Sequence, residues 1–277
     1  MSCVSLVSDL HMTTTDTATD GSTIYQREGT VARIHLNRPD NLNAVTPELY
    51  DGIRNGLNRA IEEDARVVVL EGSGRSFCAG ADMQNHDESE RTVKDRREYV
   101  WQAQTACEAV QTHPTPVVAK VHGYAIGAGA ELALSADFIC MAADAEMRFP
   151  EVGLGTYIGG GVTYTLSQRV GQARAKELIL SAASVTGEQA AEEGIVTSVH
   201  PASELDAAVD QLVRDLTGNA PISMEYAKAQ FNRIGMASRD DMLTAEADAL
   251  LACMSTDDWQ EGVDAFAEDR DPTFRGK

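Results

Sequence analysis

Residues 122–137, HGYAIGAGAELALSAD, put Gly123, Gly127 and Gly129 within seven residues and then set Glu131 among Ala130, Leu132, Ala133 and Leu134. Both choices oppose stability. Glycine inside a helix costs roughly 1 kcal/mol relative to alanine, and an ionised carboxylate beside an apolar core is expensive unless compensated. What such a segment offers is backbone chemistry. A strand ending at Val121 or His122, a glycine turn and a helix from about Ala128 point free N–H groups at the helix mouth. The segment Ser73–Asp82, SGRSFCAGAD, has the same form, a buried strand followed by a small-residue turn. Two such turns facing one another would hold an oxyanion. Either turn alone reads equally as a plain strand-to-helix connection.

Other chemistries lack their residues. Neither glycine run contains G-x-G-x-x-G, since Leu132 stands where the third glycine would be, and no acidic residue closes a following strand at the proper distance. G-x-x-x-x-G-K-[ST] and G-x-S-x-G are absent. The histidines have no ligand-like spacing, so no metal is expected.

The elements that must position these turns follow from periodicity. VARIHL (Val31–Leu36) alternates as a half-buried strand. Thr46-Pro47 signals a helix start, continued by Leu49, Ile53, Leu57 and Ile61. RVVVLEG (Arg66–Gly72) and PVVAKVHG (Pro116–Gly123) read as buried strands, separated by polar Met83–Asp95 and a helical pattern through Trp101, Ala106 and Val110. DFICMA and EMRF are two further short strands. TGEQ (Thr186–Gln189) is a capping box, and Gly194 stops that helix before the strand IVTSVH. From Ser203 strand signals cease. Leu205, Ala208, Val209, Leu212, Val213 and Leu216 mark an amphipathic helix, and others begin near Pro221, Ser238 and Asp257. The expected organisation is a disordered tail over 1–23, an α/β body over 24–202 and an all-helical portion over 203–277.

A chain of 277 residues can bury one large core. No run of eighteen apolar residues occurs, and the start lacks a basic segment before its short apolar patch, so neither a membrane span nor a secretory signal is expected. Met12 is an alternative initiator before a Thr/Asp-rich stretch. Cys3, Cys78, Cys107, Cys140 and Cys253 are scattered and odd in number, which points to free thiols in a reducing cytoplasm. The net charge is −20, and only five of the 23 basic residues are lysine. Such a surface repels nucleic acid and anionic membrane. It serves either solubility or life in a salty cytoplasm, where ionic strength screens the self-repulsion.

RSFCAGADM, HGYAIGAGAELALSADF and FPEVGLG, in this order and spacing, resemble the crotonase (enoyl-CoA hydratase/isomerase) superfamily. HLNRPDNLNAV before them and GEQAAEEGIVTSV after extend the resemblance over Ile24–Lys277. It implies an α/β fold, a crotonase-like spiral of ββα units with an all-helical C-terminal trimerisation region. It also implies acyl-CoA substrates, no tightly bound cofactor, and a homotrimer or dimer of trimers without nucleic-acid or membrane partners. By motif position the oxyanion hole belongs to the N–H groups of Ala81 and Ala128, and the two glutamates that flank a catalytic water are Glu131 and Glu151. Arg38, Leu42, Ala44, Ala79, Gly80, Asp82, Gly127 and Gly159 match the substrate- and CoA-binding positions.

Addition of water to a 2-enoyl thioester needs a base for the water and a proton for the carbon next to the carbonyl. Two carboxyls around one water supply both if one is protonated. Repulsion separates their pKa values, and the helix N-terminus favours Glu131 as the ionised member. The competing structural reading makes Glu131 a first-turn helix residue and Glu151 a surface strand end. The implied activity is hydration of a 2-enoyl-CoA. A Δ3,Δ2-enoyl-CoA isomerase, a CoA-ester hydrolase and a non-catalytic RNA-binding or scaffold role are the alternatives.

Two departures from the family pattern stand out. In GLGTYIGGGVTYTL, Ile158 replaces a proline, and Tyr164 and Thr165 take the places of Gln-Arg, in a segment the family sets beside the acyl chain. Gln84 stands where a lysine often lies near the CoA phosphates, leaving Arg38 and Lys277 as candidate cations.

Overall fold

The buried apolar runs become the centre of a sheet. In the computed structural model, which describes residues 15–19, 21–83 and 92–277, Val67–Gly72 (β4) is buried at every residue and Val117–Val121 (β5) at all but Lys120. Strands without a polar face need cover on both sides, and parallel pairing with helical crossovers provides it. Val31–Leu36 (β3), β4, β5, Phe138–Ala142 (β7) and Ser198–His200 (β10) are neighbours in parallel. Thr23–Glu28 (β2) and Thr15–Thr19 (β1) add antiparallel at one edge, giving the order β1-β2-β3-β4-β5-β7-β10.

A repeating unit winds a second layer over this sheet. Tyr124–Ile126 (β6) follows β5 and leads into Ala128–Ser135 (α3); Glu146–Arg148 (β8) follows β7 and precedes Val162–Ser181 (α4). β6, β8 and Ser184–Thr186 (β9) form a separate three-stranded sheet. The two earlier turns carry only single bridges at the same place. Val45, ahead of Pro47–Glu62 (α1), pairs with Ala81, and Cys78, ahead of Val93–Thr112 (α2), pairs with Ala125. The chain is thus a spiral of β-β-α turns whose second layer runs Val45, Cys78–Ala81, β6, β8.

Helix starts follow their caps. Thr46 accepts the Leu49 N–H ahead of α1, and Thr186 and Gln189 close the capping box of Gly187–Glu192 (α5). Leu205–Thr217 (α6) buries Leu205, Val209 and Val213, as its spacing predicts. Pro221–Phe231 (α7), Arg239–Met254 (α8) and Asp257–Glu268 (α9) begin where their sequence signals stand. Buried Glu71 on β4 pairs with Arg33 at 3.2 Å and with Lys120, and those cations reach Asp210 and Asp206 on α6. This network ties three strands to one helix.

Some local expectations are corrected. Thr15–Thr19 is a strand rather than tail, because threonines at alternate positions suit a pleated edge and β2 offers an open ladder. The rest of the expected 1–23 tail through residue 14, and Gln84, lie outside the described residues. Ile61 and Trp101 follow helical spacing yet stand 47% and 60% exposed. β6 and β9, three residues each, are too short to give a periodic signal.

The surface charge gives a first expected result. Raising KCl from about 0.1 M to 1 M shortens the Debye length from about 10 Å to about 3 Å, which removes most repulsion within a chain of net charge −20. If the surface is tuned to salt, the melting temperature rises across that range, measured by calorimetry, more than for a mildly acidic relative. A flat or falling curve leaves solubility as the role of the charge.

Candidate active site

The second layer sets two turns against each other. The Cys78 N–H donates to Tyr124 O at 2.9 Å, and the Ile126 N–H donates to Cys78 O at 3.0 Å, stitching the turn after β4 onto β6. The approach is closer than side chains allow. A Cβ on Gly129 would fall 2.1 Å from Cys78 O; one on Gly80 would fall 2.8 Å from Ile126 O and 3.9 Å from the Ala128 nitrogen. Gly80 also sits at φ +95°, in the left-handed region that favours glycine. That is why the sequence places glycine at the mouth of α3.

The approach leaves two main-chain donors unspent. The ladder at the first turn runs through neighbours of Ala81, with Val45 N–H to Gly80 O at 2.8 Å and Asp82 N–H to Val45 O at 3.3 Å. Ala128 is the first residue of α3, which has no side-chain cap. Among the described residues neither the Ala81 nor the Ala128 N–H has an acceptor. Two such donors on adjoining turns can stabilise an oxygen that gains negative charge in a transition state.

The carboxyls lie beside them. Glu131, in the first turn of α3, is 6% exposed, and its Oε1 accepts the Gly159 N–H at 2.7 Å. Burial pushes its pKa up to about 7; the Gly159 N–H pulls downward and the charge of Glu151 pushes further up. Glu151 opens a short 3-10 helix, Glu151–Leu154, and is 8% exposed, so it is not a surface strand end. Its Oε1 lies 2.8 Å from where a Cβ of Gly127 would stand, and its buried Oε2 has no partner among the described residues. Burial raises its pKa as well. Gly127, at φ 53°, ψ −119°, therefore adjoins the Ala128 donor on one side and a carboxyl on the other. The expectation that the helix N-terminus holds Glu131 ionised meets a stronger opposing effect. Desolvation dominates, and the group is poised near neutrality.

The substrate-position residues fall into two groups. Arg38, Leu42, Ala44, Ala79, Gly80 and Asp82 share one cluster: Ala79 N–H donates to Leu42 O at 3.0 Å, and Arg38 reaches Ala44 O and, at 2.8 Å, Asp82 Oδ2. Asp82 opposes the charge of Arg38, which makes it a weaker cation than the sequence suggests. Lys277 is exposed at the chain end, where its backbone oxygen accepts the Asp257 N–H at 2.7 Å. Phe274 O accepts from Arg66 at the opposite end of β4 from the Ala81 turn, so the chain end lies away from Arg38. Gly127 and Gly159 make the second group, around the glutamates.

The 156–165 segment divides. Ile158 is buried and Gly159 and Gly160 pack on Glu131, but Tyr164 and Thr165 turn away. They line a separate cavity of about 570 Å³ with Gln168, Arg169, Asp137 and Lys228, and the Tyr164 hydroxyl donates to Ile234 O. The helical turn between Gly160 and Tyr164 carries them to another face, which corrects their expected place beside an acyl chain. Reading by motif also passes over Tyr50 and Cys107. Both are buried against Glu131's surroundings, and neither belongs to a pattern that could mark it.

The family model for enoyl-CoA hydratase/isomerase matches residues 26–277. The chain belongs to the enoyl-CoA hydratase/isomerase family. It is 34% identical over 250 residues to a short-chain-enoyl-CoA hydratase of Clostridium acetobutylicum, covering 89% of this chain and 95% of the relative. A 2,3-dehydroadipyl-CoA hydratase of Escherichia coli is 32% identical, over 92% of this chain and 98% of its own. A crystal structure of an enoyl-CoA hydratase from Bacillus anthracis superposes with TM-score 0.87 at 31% identity, covering 92% of this chain and all of that one. The crotonase-type α/β spiral read from the sequence is the fold observed, and the chain is an enzyme of this family.

Proposed function

We propose that this enzyme adds water to a 2-enoyl-CoA thioester to give the 3-hydroxyacyl-CoA. The observation that carries the reading is a pair of buried carboxyls, Glu151 against Gly127 and Glu131 against Gly159, beside the unspent Ala128 N–H of the oxygen cradle. The thioester oxygen sits between the Ala81 and Ala128 N–H groups. The two carboxyls share one proton, which in the reacting arrangement is on Glu151. Ionised Glu131 takes a proton from water as the water oxygen bonds to C3, while the π electrons move toward the thioester and the enolate charge collects in the cradle. Glu151 then gives its proton to C2, and the carboxyls return to their starting state by exchanging one proton. Moving a double bond needs one carboxyl only; a second buried carboxyl with one oxygen free of any partner among the described residues suits the water reaction. A panel of enoyl-CoA thioesters, followed by loss of the conjugated enoyl absorbance, tests the reading. Loss of absorbance with crotonyl-CoA is expected, and its absence with every member contradicts it.

The assembly we propose is a homotrimer, alone or doubled, built through the helical C-terminal region. Phe231, Leu250, Leu251 and Phe266 on α7–α9 stand 60–91% exposed in the single chain, more apolar surface than a solvated helical face carries. A cytoplasmic setting accords with the free thiols of Cys78, Cys107, Cys140 and Cys253. Among the described residues no helix is long and apolar enough to cross a membrane.

Glu131 also links stability to pH. Its folded pKa of about 7 exceeds the ordinary 4.5, so the folded state holds a proton there that the unfolded state releases. Its contribution is fully present below about 4.5 and is lost as pH rises through 7. Glu131→Gln, always neutral, should therefore gain stability over the wild type with rising pH, by on the order of 2–3 kcal/mol once past 7. Denaturant unfolding of both proteins at pH 5 and pH 8 checks this; an equal difference at the two pH values contradicts the raised pKa.

A further inference from the structure

The segment Arg38–Val45 carries two polar side chains that the water reaction does not use, and both are committed to the Ala81 turn. Asn43 is fully buried, and it and Leu42 hold φ values of 55° and 51°, which residues other than glycine rarely adopt. Strained backbone of this kind persists only where surrounding contacts hold it. The Asn43 side chain accepts the Arg38 N–H at 2.8 Å and donates to Ser73 O at 2.9 Å and to Ser76 O at 2.8 Å, near the start of that turn. The partly buried Arg38 side chain reaches the other end. One guanidinium nitrogen donates to Ala44 O and the other, at 2.8 Å, to Asp82 Oδ2.

The hydrogen bonds from Arg38 to Ala81 run in one direction. Ala44 O, which accepts from Arg38, shares a peptide unit with the Val45 N–H. The Val45 N–H donates at 2.8 Å to Gly80 O, which shares a peptide unit with the Ala81 N–H. A trans peptide is planar and points its C=O and N–H in opposite directions, and among the described residues no peptide bond is cis. The guanidinium, two peptide units and the unspent Ala81 donor therefore lie head to tail. Each bond in such a chain polarises the next, and the cation at its head makes the Ala81 N–H a stronger donor. The Asp82 N–H donates back to Val45 O at 3.3 Å, so the Ala81 residue is held on both sides. Placed between Ala44 O and a buried carboxylate, Arg38 keeps little charge for a phosphate.

We infer that Arg38 is a positioning residue for the oxygen cradle. Through the Ala44–Val45 and Gly80–Ala81 peptide units it fixes the direction of the Ala81 N–H and strengthens it as a donor. The inference rests on the cradle of the hydratase reading, and a bound chromophore separates the two because it needs no turnover. The probe is 4-(dimethylamino)cinnamoyl-CoA, whose absorption moves to longer wavelength when donors polarise its thioester oxygen. Arg38→Gln leaves Asp82 a buried carboxylate without its cation, which can unfold the chain. Asp82→Asn and the double variant Arg38→Gln/Asp82→Asn, which leaves no orphaned charge, are therefore measured too. On either background, Arg38→Gln should reduce the shift of the bound probe. It should also lower kcat for crotonyl-CoA about tenfold while the Kd of CoA itself changes by less than about twofold. Weaker CoA binding with the probe's band unmoved would make Arg38 a CoA-binding cation and overturn the inference. An unchanged band and kcat would make its bonds packing alone, which overturns it too. So does an effect absent on the Asp82→Asn background, since it then belongs to the orphaned carboxylate. A band that does not shift in wild type removes the cradle and the inference with it. If the band shifts and depends on Arg38 but no enoyl-CoA is hydrated, the hydratase reading fails by itself.

Discussion

Glu131→Gln and Glu151→Gln each lower hydration of crotonyl-CoA by about 10²–10⁴-fold, the range of a general acid or base, while the protein stays folded. Glutamine retains a carbonyl oxygen for the Gly159 N–H, which now meets Glu131 Oε1 at 2.7 Å, so the first change removes the base and spares the contact. Glu151 has a buried oxygen without a partner, and an amide of the same shape fits its place. The two groups act on one water. The double variant should therefore be little slower than the worse single one, far from the product of the two losses. Initial rates from enoyl absorbance for the four proteins check this. Intact hydration in Glu131→Gln with none in Glu151→Gln would make the site a single-carboxyl isomerase centre.

Ala128→Pro is expected to reduce turnover by about 10²–10³-fold, the cost of losing one donor to a developing oxyanion. No side chain supplies this donor, so only a change of backbone removes it. Position 128 is the first residue of α3, where proline is tolerated and no intrahelical bond is lost. The variant should keep its circular dichroism and its affinity for CoA itself, which has no thioester oxygen. Ala128→Ser keeps the N–H and should retain much more activity. A folded Ala128→Pro enzyme with near-normal turnover would mean that the glycines serve packing alone.

Much of this architecture is legible because local signals and tertiary fold agree. The β4 and β5 runs, the Thr46-Pro47 start and the TGEQ box each specify an element from a few residues. The glycines of the two turns are legible too, since close backbone approach permits little else. What escapes is set by contacts distant in sequence. Tyr50 is one buried residue of a helix by pattern, and only the packing of α1 on α2 sets its ring against Tyr99. Tyr164 and Thr165 follow Gly160 by a single helical turn, yet that turn moves them to another cavity. The ionisation of Glu131 escapes for a similar reason: position in the first turn of α3 favours the charge, and burial from every side outweighs it.

The central claim is that water is added across an enoyl thioester between Glu131 and Glu151. It is tested most directly by mass spectrometry of the product formed from crotonyl-CoA in water enriched in heavy oxygen. The account predicts 3-hydroxybutyryl-CoA with one heavy oxygen on C3 and the thioester intact, formed by wild type and far more slowly by Glu131→Gln. A heavy oxygen found instead in free crotonate, with CoA released, would contradict it and assign the site to thioester hydrolysis.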